Sequence, residues 1–180
     1  MYTDELIKKI KNIHPSEKGY ICEKLEYDTN EIIPNIWLGN SKAAHDKNFL
    51  LKYKITHIIN VTPNVKCMYP KDFNYIVIPI KDEDTCNSNL INMFDEATDY
   101  IHKHWEQGSK ILIHCKRGHH RSAAILVAFI MRYFDIDYKI VMKYITHKRI
   151  CAFRRQTCIS THLDLYDKII KERNMRKIIY

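Results

Sequence analysis

No apolar run in this chain is long enough to cross a membrane as a helix. The longest, Ala123 to Met131, falls far short of the roughly 20 residues that a span requires. The opening Met-Tyr-Thr-Asp-Glu-Leu lacks the basic, apolar, small-residue order of a secretory signal. A soluble, intracellular (cytoplasmic) protein is therefore the expectation. The six cysteines, Cys22, Cys67, Cys86, Cys115, Cys151 and Cys158, contain no CxxC pair and no regular spacing. That argues against a zinc ribbon or a disulfide framework, and for reduced thiols. Ten histidines invite a metal, but His102 and His104 are two apart on an expected helix and face different ways. No metal and no cofactor are expected. Aromatic residues are not interleaved with the basic clusters as stacking platforms would require, so nucleic acid is not the expected partner. Glycine is scarce, with only four in 180 residues, so each one in a turn draws attention.

What is present is ordinary globular material. Hydrophobic residues make up 46% and charged residues 28% of the chain, and the length suits one domain with a substantial core. The formal charge of +8 favours anionic partners without choosing between phosphoprotein, phosphoinositide and nucleic acid. Lys, Asn, Ile and Tyr abound, which fits an A/T-rich cellular or viral genome.

One stretch organises the rest. Ile111-Leu112-Ile113-His114-Cys115 reads as a buried strand ending in a thiol, and Lys116-Arg117-Gly118-His119-His120 reads as a short turn. Arg121-Ser122 then opens an apolar helix over 121–134. Backbone amides at such a turn converge on one point, and the helix dipole adds about half a positive charge there. The place suits an oxyanion. A free thiol is only about 3% ionised at pH 7, but a helix N-terminus and a nearby cation raise that fraction.

The sequence His114-Cys115, five residues, Arg121-Ser122, with Gly118 at the centre, resembles the signature loop of cysteine-dependent dual-specificity protein phosphatases. The resemblance runs over about residues 28–172, including Trp37-Leu38-Gly39 and Ile55-Thr56-His57-Ile58-Ile59-Asn60-Val61. It implies Cys115 as nucleophile, Arg121 as phosphate clamp and Ser122 as a hydrogen-bond donor to the departing thiolate. His114 would order the loop from behind, and no cofactor would take part. Lys116, Arg117, Gly118, His119 and His120 would contact phosphate or substrate. The leaving group needs a proton, and the polar loop Lys81-Asp82-Glu83-Asp84 offers one. The spacings to Cys115 and to Phe94 match the family's general acid at Asp84. Asp82, shortly after Pro79, is the alternative, and Glu83 reads as solvated.

The implied activity is hydrolysis of phosphotyrosine and phosphoserine or phosphothreonine in a phosphoprotein substrate. A polyanionic non-protein substrate is the alternative, because residues 116, 117, 119 and 120 make the loop unusually basic. An inositol pyrophosphate, a phosphoinositide or an RNA 5′-phosphate would qualify. A catalytically idle phosphate-binding module is a third reading. The chain departs from the family at 148–158, where Pro-Asn-x-Gly-Phe is replaced by Lys148-Arg149-Ile150-Cys151-Ala152-Phe153-Arg154-Arg155-Gln156-Thr157-Cys158. Arg154 and Arg155 are either a recognition patch or a solvated connector.

Alternation of helix and strand predicts a single compact α/β domain, with a mostly parallel sheet of four or five strands flanked by helices. Residues 1–18 read as an amphipathic helix and linker, 28–172 as the catalytic domain and 173–180 as a basic tail. Further helices are expected over 89–106, from a cap at Asp137 to 147, and over 160–173; Ser41 is a candidate cap for another. The first helix packs on its own domain or, by exchange, on a second copy to give a homodimer.

Overall fold

Strand β5 (Ile111–His114) is the middle of a five-stranded sheet and is buried along its whole length. The computed structural model describes residues 3–13, 28–81, 90–153 and 158–179. The sheet order is β1-β2-β5-β3-β4, with β1 (Thr29–Ile33), β2 (Ile36–Gly39), β3 (His57–Asn60) and β4 (Asn74–Val77). Only β1 runs antiparallel to its neighbour; every other pairing is parallel. The expected mostly parallel sheet is what the chain forms. Asn35, at φ 67°, makes the tight turn between β1 and β2.

The period-two alternation of a strand explains the layers. Ile36, Leu38, Ile59, Ile111 and Ile113 point into the larger core. Trp37, Ile58 and Leu112, one residue out of phase, point to a smaller cluster with Ala44, Leu50, Ile55 and Phe73. Helices α2 (Ser41–His45) and α3 (Lys47–Lys52) cover that smaller side. The larger side is filled by α4 (Leu90–Glu106), α5 (Arg121–Phe134), α6 (Tyr138–Lys148) and α7 (Ile159–Ile179). Every residue of α5 from Arg121 to Met131 is buried, which is why the sequence from Ala123 to Met131 is apolar all round.

Asp95 of α4 ties three helices together. Its carboxylate accepts from Arg132 Nη1 of α5 at 3.2 Å, and from Tyr166 Oη and Arg173 Nη1 of α7, each at 2.8 Å. Burial presses the Asp95 carboxyl upward, but the bonds from Arg173 and Tyr166 outweigh it and hold it below its ordinary value.

Three details differ from the sequence reading, and one of its alternatives is met. Asn40, not Ser41, caps α2, its Oδ1 accepting from the amides of Lys42 and Ala43 at 2.9 and 3.1 Å. Asn and Ser are similarly good caps, and Ser41 has another task described below. Helix α7 continues through the segment set apart as a basic tail, as far as Ile179. No glycine or proline interrupts 160–179, and Arg173 is anchored on Asp95. Cys67, Cys115 and Cys151 are free thiols, but Cys158 is disulfide-bonded, against the expectation of reduced cysteines throughout. Spacing along the chain does not reveal which thiols a fold brings together. Finally, α1 (Thr3–Lys11) buries Leu6 and Ile10 in the core of its own chain, packing against α6. Among the described residues no helix is long and apolar enough to cross a membrane.

Candidate active site

The site lies where the parallel strands β3 and β5 end, the edge at which layered α/β folds commonly bind ligands. Strand β5 delivers Cys115, and α5 begins at Arg121 after a turn with Gly118 at φ 68°. Cys115 is 2% exposed. Its sulfur accepts from the Gly118 amide at 3.1 Å and from Ser122 Oγ at 3.3 Å. Burial presses the Cys115 thiol upward. The Ser122 hydroxyl and amide, the charge of Arg121 and the Gly118 amide outweigh it, so the thiol sits below its ordinary value. A thiolate is thus stabilised by groups already in place.

Arg121 is 6% exposed, and its Nη1 donates to the Ile80 carbonyl at 3.0 Å. That bond fixes the guanidinium beside the chain that leads into Asp82 and Asp84. Both aspartates lie outside the described residues, as do Arg154 and Arg155.

His114, next to Cys115 at the end of β5, is buried. Burial pushes its pKa down to about 4, opposed in part by a bond with the Cys115 backbone. It is therefore neutral at neutral pH and serves as packing, not as an acid. A stability effect follows, and its sign is definite. Above about pH 6.5 the ring is neutral in folded and unfolded chains alike and contributes no pH dependence. Below that, the unfolded chain takes up a proton that the folded one refuses until about pH 4. Stability should fall through this window by up to about 1.4 kcal/mol per pH unit. Urea midpoints measured down the window should drop more steeply in the wild type than in His114→Asn.

A cavity of about 390 Å³ opens over the loop, lined by Thr62, Pro63, Asn64, Val65, Lys81, Lys116 and Arg121. Of the residues expected to contact phosphate, Lys116 and Arg121 line it. Gly118 turns its amide to the sulfur. The side chains of Arg117, His119 and His120 are not in the lining, because a loop that points its amides inward carries side chains outward. His120 packs its ring near Phe153, with centroids 6.4 Å apart.

The wall at 62–65 was not anticipated from sequence. Buried Asn60 builds it: its Nδ2 donates to the Val65 carbonyl at 2.6 Å, and its Oδ1 accepts from Thr62 Oγ1 at 2.8 Å. Thr62 Oγ1 in turn accepts from the Val65 amide at 3.1 Å. The Thr-Pro-Asn sequence after β3 was the available signal, since it marks a turn at the ligand-binding edge of the sheet. Among the described residues no three His, Cys, Asp or Glu side chains converge as a metal would require.

The family model for the dual specificity phosphatase catalytic domain matches residues 36–169. The chain belongs to the dual-specificity phosphatase family. It is 33% identical over 132 residues to human dual specificity protein phosphatase 22, covering 71% of this chain and 70% of that one. Dual specificity protein phosphatase 1B of Arabidopsis thaliana is 31% identical over 144 residues, covering 80% and 84%. Among solved structures, the human tyrosine phosphatase-like serine/threonine/tyrosine-interacting protein superposes with TM-score 0.70 at 30% identity, covering 78% and 96%. Other matched relatives are longer: this family member spans 57% of Arabidopsis dual specificity protein phosphatase 1, and 17% of a Slingshot homologue from Xenopus laevis.

Proposed function

We propose that this family member hydrolyses phosphotyrosine and phosphoserine or phosphothreonine in a phosphoprotein, through a cysteinyl-phosphate at Cys115. The observation that carries this is the sulfur held by the Gly118 amide and Ser122 hydroxyl, with Arg121 beside it at the start of α5. In the first step the thiolate attacks phosphorus. The sulfur–phosphorus bond forms as the bond to the leaving oxygen breaks, and Asp84 gives that oxygen its proton. Arg121, with its planar fork, holds two of the three equatorial oxygens through the transition state, and the loop amides hold the third. In the second step Asp84, now ionised, takes a proton from water. Water attacks phosphorus, phosphate leaves, and Ser122 stabilises the thiolate that returns.

Asp84→Asn should lower kcat by about 10²- to 10³-fold and remove the alkaline limb of the pH–rate profile. Asp82→Asn should do much less. The reverse outcome moves the general acid to Asp82.

A second reading has one observation in its favour: Lys81 and Lys116 line the same cavity as Arg121. Extra cations gain more from a polyanion than from a single phosphate. A panel of phosphotyrosine and phosphothreonine peptides, inositol pyrophosphates, phosphoinositides and 5′-triphosphate RNA separates the two. Turnover confined to the non-protein compounds overturns the protein-directed reading. The third, a catalytically idle phosphate-binding module, is disfavoured because nucleophile, clamp and serine are all present.

A further inference from the structure

The loop's carbonyls are tied outward, and one of the ties is unusual. Ser41 donates its amide and hydroxyl to the Lys116 carbonyl at 3.3 and 3.2 Å. The Phe153 amide donates to the His119 carbonyl at 3.0 Å, and the Ala124 amide to that of His120 at 2.8 Å. The Gly118 carbonyl is held instead by a buried guanidinium: Arg149 Nε donates to it at 2.9 Å. Arg149 is 3% exposed and sits at the C-cap of α6, in the segment that departs from the family pattern. Its Nη1 donates to Asn30 Oδ1 of β1 at 2.7 Å, which fixes the guanidinium from the far side. Gly118 is thereby pinned at both ends, its N–H to the Cys115 sulfur and its C=O to Arg149.

We propose that Arg149 is a positioning residue for the reaction. Its guanidinium, fixed by Asn30, holds the Gly118 carbonyl outward and so keeps the loop amides aimed at the sulfur and at phosphoryl oxygens. A peptide unit is a rigid plane, so its carbonyl and the following amide turn together. Releasing the Gly118 carbonyl lets the Gly118–His119 peptide rotate, which turns the His119 amide, and frees the glycine between the two planes to shift its own N–H against the sulfur. In a cradle made of amides, a single reversed peptide places a carbonyl oxygen where an anion should sit. This inference rests on the reading of 115–121 as a catalytic phosphate loop.

The test uses Arg149→Met, Arg149→Lys and Asn30→Ala, each first checked by thermal unfolding. Two readouts do not need turnover: the pH dependence of Cys115 alkylation by iodoacetate, mapped by mass spectrometry, and the affinity for vanadate. Arg149→Met should move the alkylation midpoint up by about one pH unit. It should also weaken vanadate binding, and lower kcat/KM, by about 10- to 100-fold. Asn30→Ala should shift both readouts the same way by less, and Arg149→Lys should recover part of the loss. A folded Arg149→Met with the wild-type alkylation profile and vanadate affinity overturns the proposal. If Arg149→Met does not fold, wild-type readouts in both of the other variants overturn it. Should the wild type turn over no phosphomonoester while the alkylation shift appears, the function is wrong and the brace stands.

Discussion

Cys115→Ser is expected to fold normally, bind phosphate and turn over nothing, with a loss in kcat of at least about 10⁴-fold. A serine hydroxyl in this place keeps its proton at any working pH. Everything that favours an anion at the sulfur then acts on a neutral group. Those groups are specific: the Gly118 amide at 3.1 Å, the Ser122 hydroxyl at 3.3 Å and the start of α5. Nor does any described group behind residue 115 serve as the base, since His114 has a pKa of about 4 and lies buried away from the cavity lining. The oxygen is smaller than sulfur and fits the same space, so thermal unfolding should move little. Turnover assays beside a phosphate-binding titration check both halves of the expectation. Substantial residual turnover would mean that another group attacks phosphorus.

Gly118→Ala should be nearly as damaging by a different route. The residue has φ 68°, a left-handed conformation that costs an L side chain about 1–2 kcal/mol. The larger obstacle is space. A methyl group there would lie 2.5 Å from the Gly39 carbonyl oxygen and 2.6 Å from its carbon. Those are backbone atoms at the end of β2, paired to β5, and they cannot step aside without moving the sheet edge that carries Cys115. The loop must move instead, which withdraws the amide from the sulfur. A loss of about 10²- to 10³-fold in kcat/KM is expected, with a drop of several degrees in Tm. Gly108→Ala is the matched control. It has φ 78° but nothing within 4 Å of an added methyl group, so it should cost stability and leave kcat/KM alone.

Much of this was legible in the sequence. The run Ile111-Leu112-Ile113 is apolar on both faces because β5 is the central strand between two cores, and an unbroken apolar run carries that information. The helix from Arg121 to Phe134 and the cap at Asp137 were equally readable, since their signals are local. What was missed depends on contacts distant in sequence. Ser41 looked like a helix cap because only the fold brings Lys116 to it. Arg149 was given no role within the segment that departs from the family, and nothing near it in sequence announces Gly118 or Asn30. The basic side chains of Arg117, His119 and His120 suggested a charged pocket. The loop's inward amides turn those side chains away, and among the described residues Lys81 and Lys116 are the cations that join Arg121 in the lining.

The central claim is that the phosphoryl group passes through the Cys115 sulfur. Rapid quenching of the enzyme during turnover of a phosphotyrosine peptide, followed by peptide mapping, tests it most directly. The Asp84→Asn and Asp82→Asn variants would be run alongside, to slow hydrolysis of the intermediate. The account predicts one phosphoryl group, on Cys115, formed and lost at rates compatible with turnover and absent in Cys115→Ser. A phosphoryl group on His119 or His120, or full turnover with no phosphoenzyme at any time point in any of these variants, would contradict it.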